Sequence, residues 1–272
     1  MKHLSRAYLC LIFGILYIPI ITLIFFSFND ANSTAVFQGF SLRWYKELFV
    51  NNSSDTFTAL RNTLILAVCA ATLSTVIGTA AAKGLYKMRS KLLKRAITTV
   101  TNVPMMNPDI VTAMSMMLFF VAVAAVLGIS YDNMGFAAML IAHTTFCLPY
   151  VILSVLPRIT ELGDSLSEAA MDLGCTPMQS FFKVELPNIL PGVLSGFIMA
   201  FTLSLDDFVI SYFVGSSKFQ TLPLLIYSMT KKKVTPDMYA LSTIIIVVIF
   251  ALLIFTNVRS AKEEQRKRRK SK

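Results

Sequence analysis

Charge is scarce in this sequence: Asp, Glu, Lys and Arg make up 15% of its 272 residues, whereas an ordinary soluble domain carries roughly 25%. That scarcity excludes a disordered chain or a nucleic-acid coat, both of which depend on dense charge. There is no Gly-Lys pair, so the G-x-x-x-x-G-K loop that cradles nucleotide phosphates is missing. The 4 cysteines lack the spacing of a metal site or a disulfide framework. Cys10, Cys69 and Cys147 fall in apolar blocks, where cysteine acts as a small filler, and Cys175 lies between blocks. No motif occurs twice, and the only low-complexity stretch is the basic C-terminal tail.

Apolar residues are abundant, at 55%, and they are gathered into blocks as long as a bilayer requires. Segments free of Asp, Glu, Lys and Arg run over 7–28, 62–82, 110–129, 135–156 and 238–258, and a sixth block, 189–214, is interrupted only by Asp206 and Asp207. In lipid the backbone must satisfy its own hydrogen bonds, so such spans are helices. The sequence therefore predicts an all-α polytopic membrane protein, a single domain over 1–272. Its six transmembrane helices are expected at about 7–28, 62–82, 105–129, 135–156, 189–214 and 238–258. The first block follows Lys2, His3 and Arg6 as a signal peptide would. Its apolar stretch is nevertheless too long for one and lacks an A-x-A cleavage site, so it counts as the first helix.

Basic residues orient the chain. Segments 1–6, 83–95, 157–188 and 259–272 together hold 18 Lys and Arg, and the opposite segments hold 7. By the positive-inside rule both termini are expected in the cytosol. The tail 259–272 is read as topology and contact with lipid phosphates rather than as a nucleic-acid arm. Lys231, Lys232 and Lys233 oppose the trend in a short extracytosolic loop. His143, in the fourth block, is expected to be a buried histidine bonded to a neighbouring helix.

The cytosolic loop 157–188 carries strong local order. Ser165-Leu-Ser-Glu168 has the form of a capping box with Ser165 as N-cap. Leu166, Ala169, Ala170 and Leu173 follow at helical spacing as one apolar face, with Gly174 placed to end the helix in the left-handed conformation. Thr176-Pro-Met-Gln179 offers a second capping box, opening a helix from about Pro177 to Pro187. The result is a helix-turn-helix with a small-residue face that a cytosolic partner can approach closely.

Glu168-Ala169-Ala170, then Gly174, then Val184-Glu-Leu186-Pro187 resembles the EAA signature of bacterial ATP-driven importer permeases of the MetI-like type, with Val for the usual Ile. Further stretches narrow the resemblance to the second permease subunit of spermidine/putrescine importers. They are Tyr17-Ile-Pro-Ile-Ile, Phe40-Ser-Leu-Arg-Trp-Tyr45, Asn107-Pro-Asp-Ile-Val111, His143-Thr-Thr-Phe-Cys-Leu-Pro149, Phe201-Thr-Leu-Ser-Leu-Asp-Asp207 and Leu222-Pro-Leu-Leu-Ile-Tyr-Ser-Met229. The resemblance implies that Glu168, Ala169, Ala170, Gly174 and Pro187 belong to a loop that docks on a separate ATPase and transmits its closure. It also implies a homologous sister permease, two copies of an ATP-binding subunit holding ATP and Mg, and an extracytosolic polyamine-binding protein. This chain itself is then no enzyme and needs no cofactor or metal.

Intramembrane carboxylates are costly unless paired, and the apolar blocks hold no Lys or Arg to pair with Asp109, Asp206 and Asp207. Either these groups bond backbone amides, hydroxyls or a sister subunit, or they line a route for a cation. A polyamine supplies two or more ammonium groups, whereas sulfate or molybdate would be repelled. Helical periodicity puts Asp207 on one face with Ser204 and Ser211 and favours it as the pore-facing group. The resemblance instead favours Asp206, with Asp109 and Trp44, and Asp206 is preferred. Trp44, the single tryptophan, is either an interfacial anchor or a π-face for an ammonium ion. An aspartyl protease is disfavoured because adjacent aspartates on one helix point about 100° apart. A secondary transporter would show an internal repeat and no docking loop.

Overall fold

The computed structural model describes residues 2–31, 36–50, 53–216, 219–232, 238–244, 246–247 and 250. Among them the chain is made of helices joined by short turns, with two isolated bridges, Asn29 with Phe40 and Ser216 with Phe219. Four helices are long and apolar enough to cross a membrane: Thr56–Lys87, Asp109–Leu127, Tyr131–Leu162 and Pro177–Asp206. A shorter apolar helix covers Leu11–Phe26, where the first span is expected. The expected helix at 238–258 lies largely outside the described residues, as does the tail 259–272.

The chain divides into two compact units, Met1–Asp55 with Ile226–Lys272, and Thr56–Leu225. In the first, α1 (Lys2–Phe26) runs into a turn at 27–31 before α2 (Arg43–Val50). Asn29 organises that turn. Its side-chain oxygen accepts from the Ala31 and Gln38 amides (3.2 and 2.9 Å), and its side-chain nitrogen donates to the Val36 carbonyl at 2.7 Å. The Phe28 and Phe40 rings stack beside it at 4.8 Å.

The second unit holds α3 (Ser53–Lys87), α4 (Lys91–Met106), α5 (Asp109–Leu127), α6 (Tyr131–Leu162), α7 (Ser165–Asp172), α8 (Pro177–Ser180), a π-helical turn (Phe181–Glu185), α9 (Leu186–Asp206) and α10 (Val209–Val214). Then α11 (Leu222–Lys232) leads out of it. The helix α6 forms the centre, burying Ala138, Met139, Ala142, Cys147, Val151 and Val155. Its closest partner is α9, which turns Gly192, Gly196, Ala200 and Ser204 inward at four-residue spacing. A Cβ added to Gly192 would stand 2.9 Å from the Ser154 carbonyl oxygen, and one on Gly196 3.3 Å from Val151 Cα. Small residues thus let two backbones approach, which is how helices associate where lipid removes the hydrophobic drive.

Two expected helices are broken, each for a local reason. The segment 105–129 divides at Asn107 and Pro108. Proline supplies no N–H and forces its predecessor into an extended conformation, and Asn107 sits at φ −79°, ψ 146°. The segment 189–214 divides at Asp207, which is extended at φ −64°, ψ 121°.

Candidate functional site

The break after α9 is where the acidic residues gather. The Asp207 carboxylate turns back onto α10 and accepts the amides of Ile210 (3.3 Å) and Ser211 (2.9 Å). It therefore supplies acceptors to two of the four N–H groups that a helix start leaves unsatisfied. His143 Nε2 lies 3.6 Å from the same carboxylate and 3.4 Å from Ser211 Oγ. His143 Nδ1 is bonded to Ser204 Oγ at 2.9 Å, so one ring links both sides of the break. The histidine is fully buried and bonded to neighbouring helices, as its sequence setting predicts. The Asp207 side chain is only 9% exposed.

Asp206, one residue earlier, is exposed, and Asp109 is exposed at the first turn of α5. Among the described residues neither forms an ion pair. The Cys147 thiol of α6 lies within electrostatic reach of both Asp206 and Asp207, and the Tyr150 hydroxyl within reach of Asp109. Asp109 also acts on Asp207. Trp44 is placed differently, within the first unit. Its Nε1 donates to the Asn29 carbonyl at 2.7 Å, and the Arg43 guanidinium lies 5.0 Å from its ring centre.

In the loop after α6, α7 begins at Ser165, but Asp164 is the N-cap and no side chain caps the helix. The expected capping box between Ser165 and Glu168 is therefore absent, because Ser165 already has helical position, and Glu168 is exposed. The end of α7 follows expectation. Gly174 adopts φ +89°, its amide donates to the Met171 carbonyl (2.9 Å), and the Cys175 amide donates to the Ala170 carbonyl (3.1 Å). That pair of bonds satisfies the last carbonyls in a Schellman motif, and glycine enters this conformation without penalty. The box at Thr176 and Gln179 forms in both directions.

The expected single apolar face is split. Ala170 is 8% exposed and packs inward with Ser167, whereas Leu166, Ala169 and Leu173 point outward. Leu173 is 88% exposed, and Met178 and Phe182 extend the outward apolar surface. The second helix does not end near Pro187, which lies exposed in the first turn of α9, because a π turn carries the helix through to Asp206. Sequence reading missed that turn and the ion pair between Lys83 and Glu185. It also missed the Gly192-x-x-x-Gly196-x-x-x-Ala200 spacing, a legible packing signal. Among the described residues no group of three or more His, Cys, Asp or Glu is placed to hold a metal ion.

Known proteins resemble this chain in sequence and in fold. Residues 74–260 match the family described as binding-protein-dependent transport system inner membrane component. The chain is 39% identical over 259 residues to the spermidine/putrescine transport system permease protein PotC of Haemophilus influenzae, covering 95% of this chain and 97% of that one. It is 39% identical to the putrescine transport system permease protein PotI of Escherichia coli, over 86% of this chain and 82% of that one. Among solved structures, a chain of a bacterial ABC transporter involved in import of the acidic polysaccharide alginate superposes with a TM-score of 0.72 at 18% identity, over 96% of each chain. A chain of the MetNI methionine ABC transporter, in inward-facing conformations, gives 0.58 at 22% identity over 74% of this chain and 92% of that one. At those identities the structures speak for the fold alone, whereas the family match spans most of the sequence. The chain belongs to the binding-protein-dependent transport system inner membrane component family.

Proposed function

We propose that this chain is one of two permease subunits of an ATP-driven importer of polyamines such as spermidine and putrescine. The observation that carries the reading is that Asp109 and Asp206 stand exposed at the breaks of two apolar blocks that hold no Lys or Arg, with no ion partner among the described residues. Uncompensated carboxylates at membrane depth mark a cation route, and a polyamine carries several ammonium groups. The names of relatives at 39% identity support the same solute class. Asp206, exposed and without an ion partner, is assigned to the passing cation, with Asp109 beside the route. Asp207 holds the break in place. Trp44, its indole N–H bonded and its ring beside Arg43, anchors the turn after α1 rather than receiving an ammonium ion.

In this reading six helices cross the membrane with both termini in the cytosol, as the 18 to 7 division of Lys and Arg supports. The loop 157–188 docks on an ATP-binding subunit that holds ATP and Mg, with Leu166, Ala169, Leu173, Met178 and Phe182 as its contact surface. A homologous sister permease completes the pathway, with two copies of the ATP-binding subunit, an extracytosolic binding protein and lipid phosphates around the tail 259–272. No hydrolysis occurs on this chain. The test is uptake of labelled spermidine and putrescine by cells expressing the chain with its neighbouring subunits, before and after ATP depletion. Uptake confined to another solute overturns the polyamine assignment. Uptake that survives ATP depletion makes the chain a gradient-driven carrier.

A further inference from the structure

We propose that Lys83 and Glu185 form an ionic strut that carries movement of the docking loop into α3, an inference that rests on the loop being the ATPase contact. Lys83 stands in the last turns of α3 and Glu185 ends the π turn, 102 residues away in the chain, and their ammonium and carboxylate groups touch. The side chains are 17% and 5% exposed. Among the described residues this is the one ion pair joining the loop to a helix outside it.

The contact extends into α7. The Ser167 hydroxyl faces the Glu185 carboxylate and lies 3.1 Å from Ser180 Oγ, which reaches the Ser167 carbonyl at 3.3 Å. Tyr86, three residues beyond Lys83, sets its hydroxyl beside Asp164, the N-cap of α7. The start of the first docking helix is therefore tied both to the end of α3 and to the π turn that meets it.

The π turn explains how Glu185 comes to be inside. In an α-helix, residues five apart point about 140° from each other. Ser180 and Glu185 are nevertheless both buried, because the extra residue in the π turn restores them to one face. From Glu185 onward the buried positions are Ile189, Gly192, Gly196, Ala200 and Ser204, at ordinary helical spacing. The face that meets Lys83 at one end thus meets His143 and the acidic break at the other. A buried ion pair is rarely more stabilising than an apolar contact of equal volume, but it fixes a distance and a direction. The arrangement suits transmission: displacement of α7 pulls on Lys83 and on the α9 rod together.

The chain is reconstituted in vesicles with its sister permease, ATP-binding subunit and binding protein, and labelled spermidine or putrescine uptake is divided by ATP hydrolysed. The double variant Lys83→Met with Glu185→Met fills similar space without charge. It is expected to insert and to pull down the ATP-binding subunit normally, while solute moved per ATP falls at least tenfold. The exchanged pair, Lys83→Glu with Glu185→Lys, is expected to recover at least half of the lost ratio. An unchanged ratio in the Met pair, or no recovery in a docked exchanged pair, overturns the strut while leaving docking intact. Loss of docking in the Met pair makes the two residues supports of the docking surface and also overturns transmission. Failure of the natural chain to capture the ATP-binding subunit overturns the docking reading and the strut with it.

Discussion

Asp206→Asn and Asp207→Asn remove the same charge one residue apart, yet the surroundings of the two groups predict opposite kinds of damage. Asp207 accepts two amides of α10 and faces His143. Its amide variant keeps one acceptor oxygen and loses a charge-assisted bond, a cost of about 1–2 kcal/mol in stability. Asp206 has no ion partner among the described residues, so its amide variant should leave stability within about 0.5 kcal/mol. Its loss falls on the passing cation. An ammonium about 4 Å from a carboxylate at an effective dielectric of about 20 gains about 4 kcal/mol, partly offset by the water it sheds. If one third survives, the effect on solute affinity is about tenfold. The assay pairs initial rates of labelled spermidine uptake across concentration with thermal unfolding of the purified chain in detergent. Asp206→Asn should raise the half-saturating concentration at least tenfold without lowering the melting temperature, and Asp207→Asn should lower the melting temperature and affect uptake less. The reverse pattern would refute the assignment of the two groups, and full uptake in both variants and in Asp109→Asn would refute a carboxylate route altogether.

Leu173→Glu charges a side chain that is largely in solvent, so insertion and stability should be unchanged while capture of the ATP-binding subunit drops at least tenfold; normal capture would remove this surface from the docking role. Ala170→Glu, at a buried position, should in contrast destabilise the loop itself, seen as faster proteolysis between α6 and α9. Gly192→Val pushes a branched side chain toward the Ser154 carbonyl and should cost about 1–3 kcal/mol through separation of α6 and α9, read as a lower melting temperature; an unchanged value would mean that the two helices are not held at close range. Single cysteines at Ser53 and Ser271 should react oppositely with a membrane-impermeant thiol reagent in intact cells, and equal labelling would overturn the orientation.

Much of this architecture is legible because it follows from local rules. Block length identifies α3, α5, α6 and α9, and the lipid environment leaves helix as their only conformation. Gly174 and the Thr176 box are read correctly because a left-handed terminus and a reciprocal cap depend on residues within one turn. The box at Ser165 does not form, since Asp164 takes the N-cap position and its carboxylate lies beside the Tyr86 hydroxyl, a residue far away in the chain that no local rule brings in. The split of the alanine pair is likewise tertiary. A helix of eight residues offers Ala169 and Ala170 on faces 100° apart, and Ala170 goes inward together with Ser167, whose hydroxyl meets Ser180 just before the π turn.

The choice between Asp206 and Asp207 shows where periodicity stops carrying information. A helical wheel groups Asp207 with Ser204 and Ser211, and the structure does bring these residues together around His143. It does so across a break, through an extended residue and a carboxylate folded back on the next helix, rather than along one continuous face. The wheel therefore finds the right neighbours, but it does not foresee the break between them. Its polar face is consumed internally, by two amides and an imidazole, and the adjacent residue is exposed with no ion partner among the described residues. A break in a membrane helix frees backbone groups that must find partners nearby. Asp207 meets that demand for α10, and under the proposed function the adjacent Asp206 is then the carboxylate free to meet a cation.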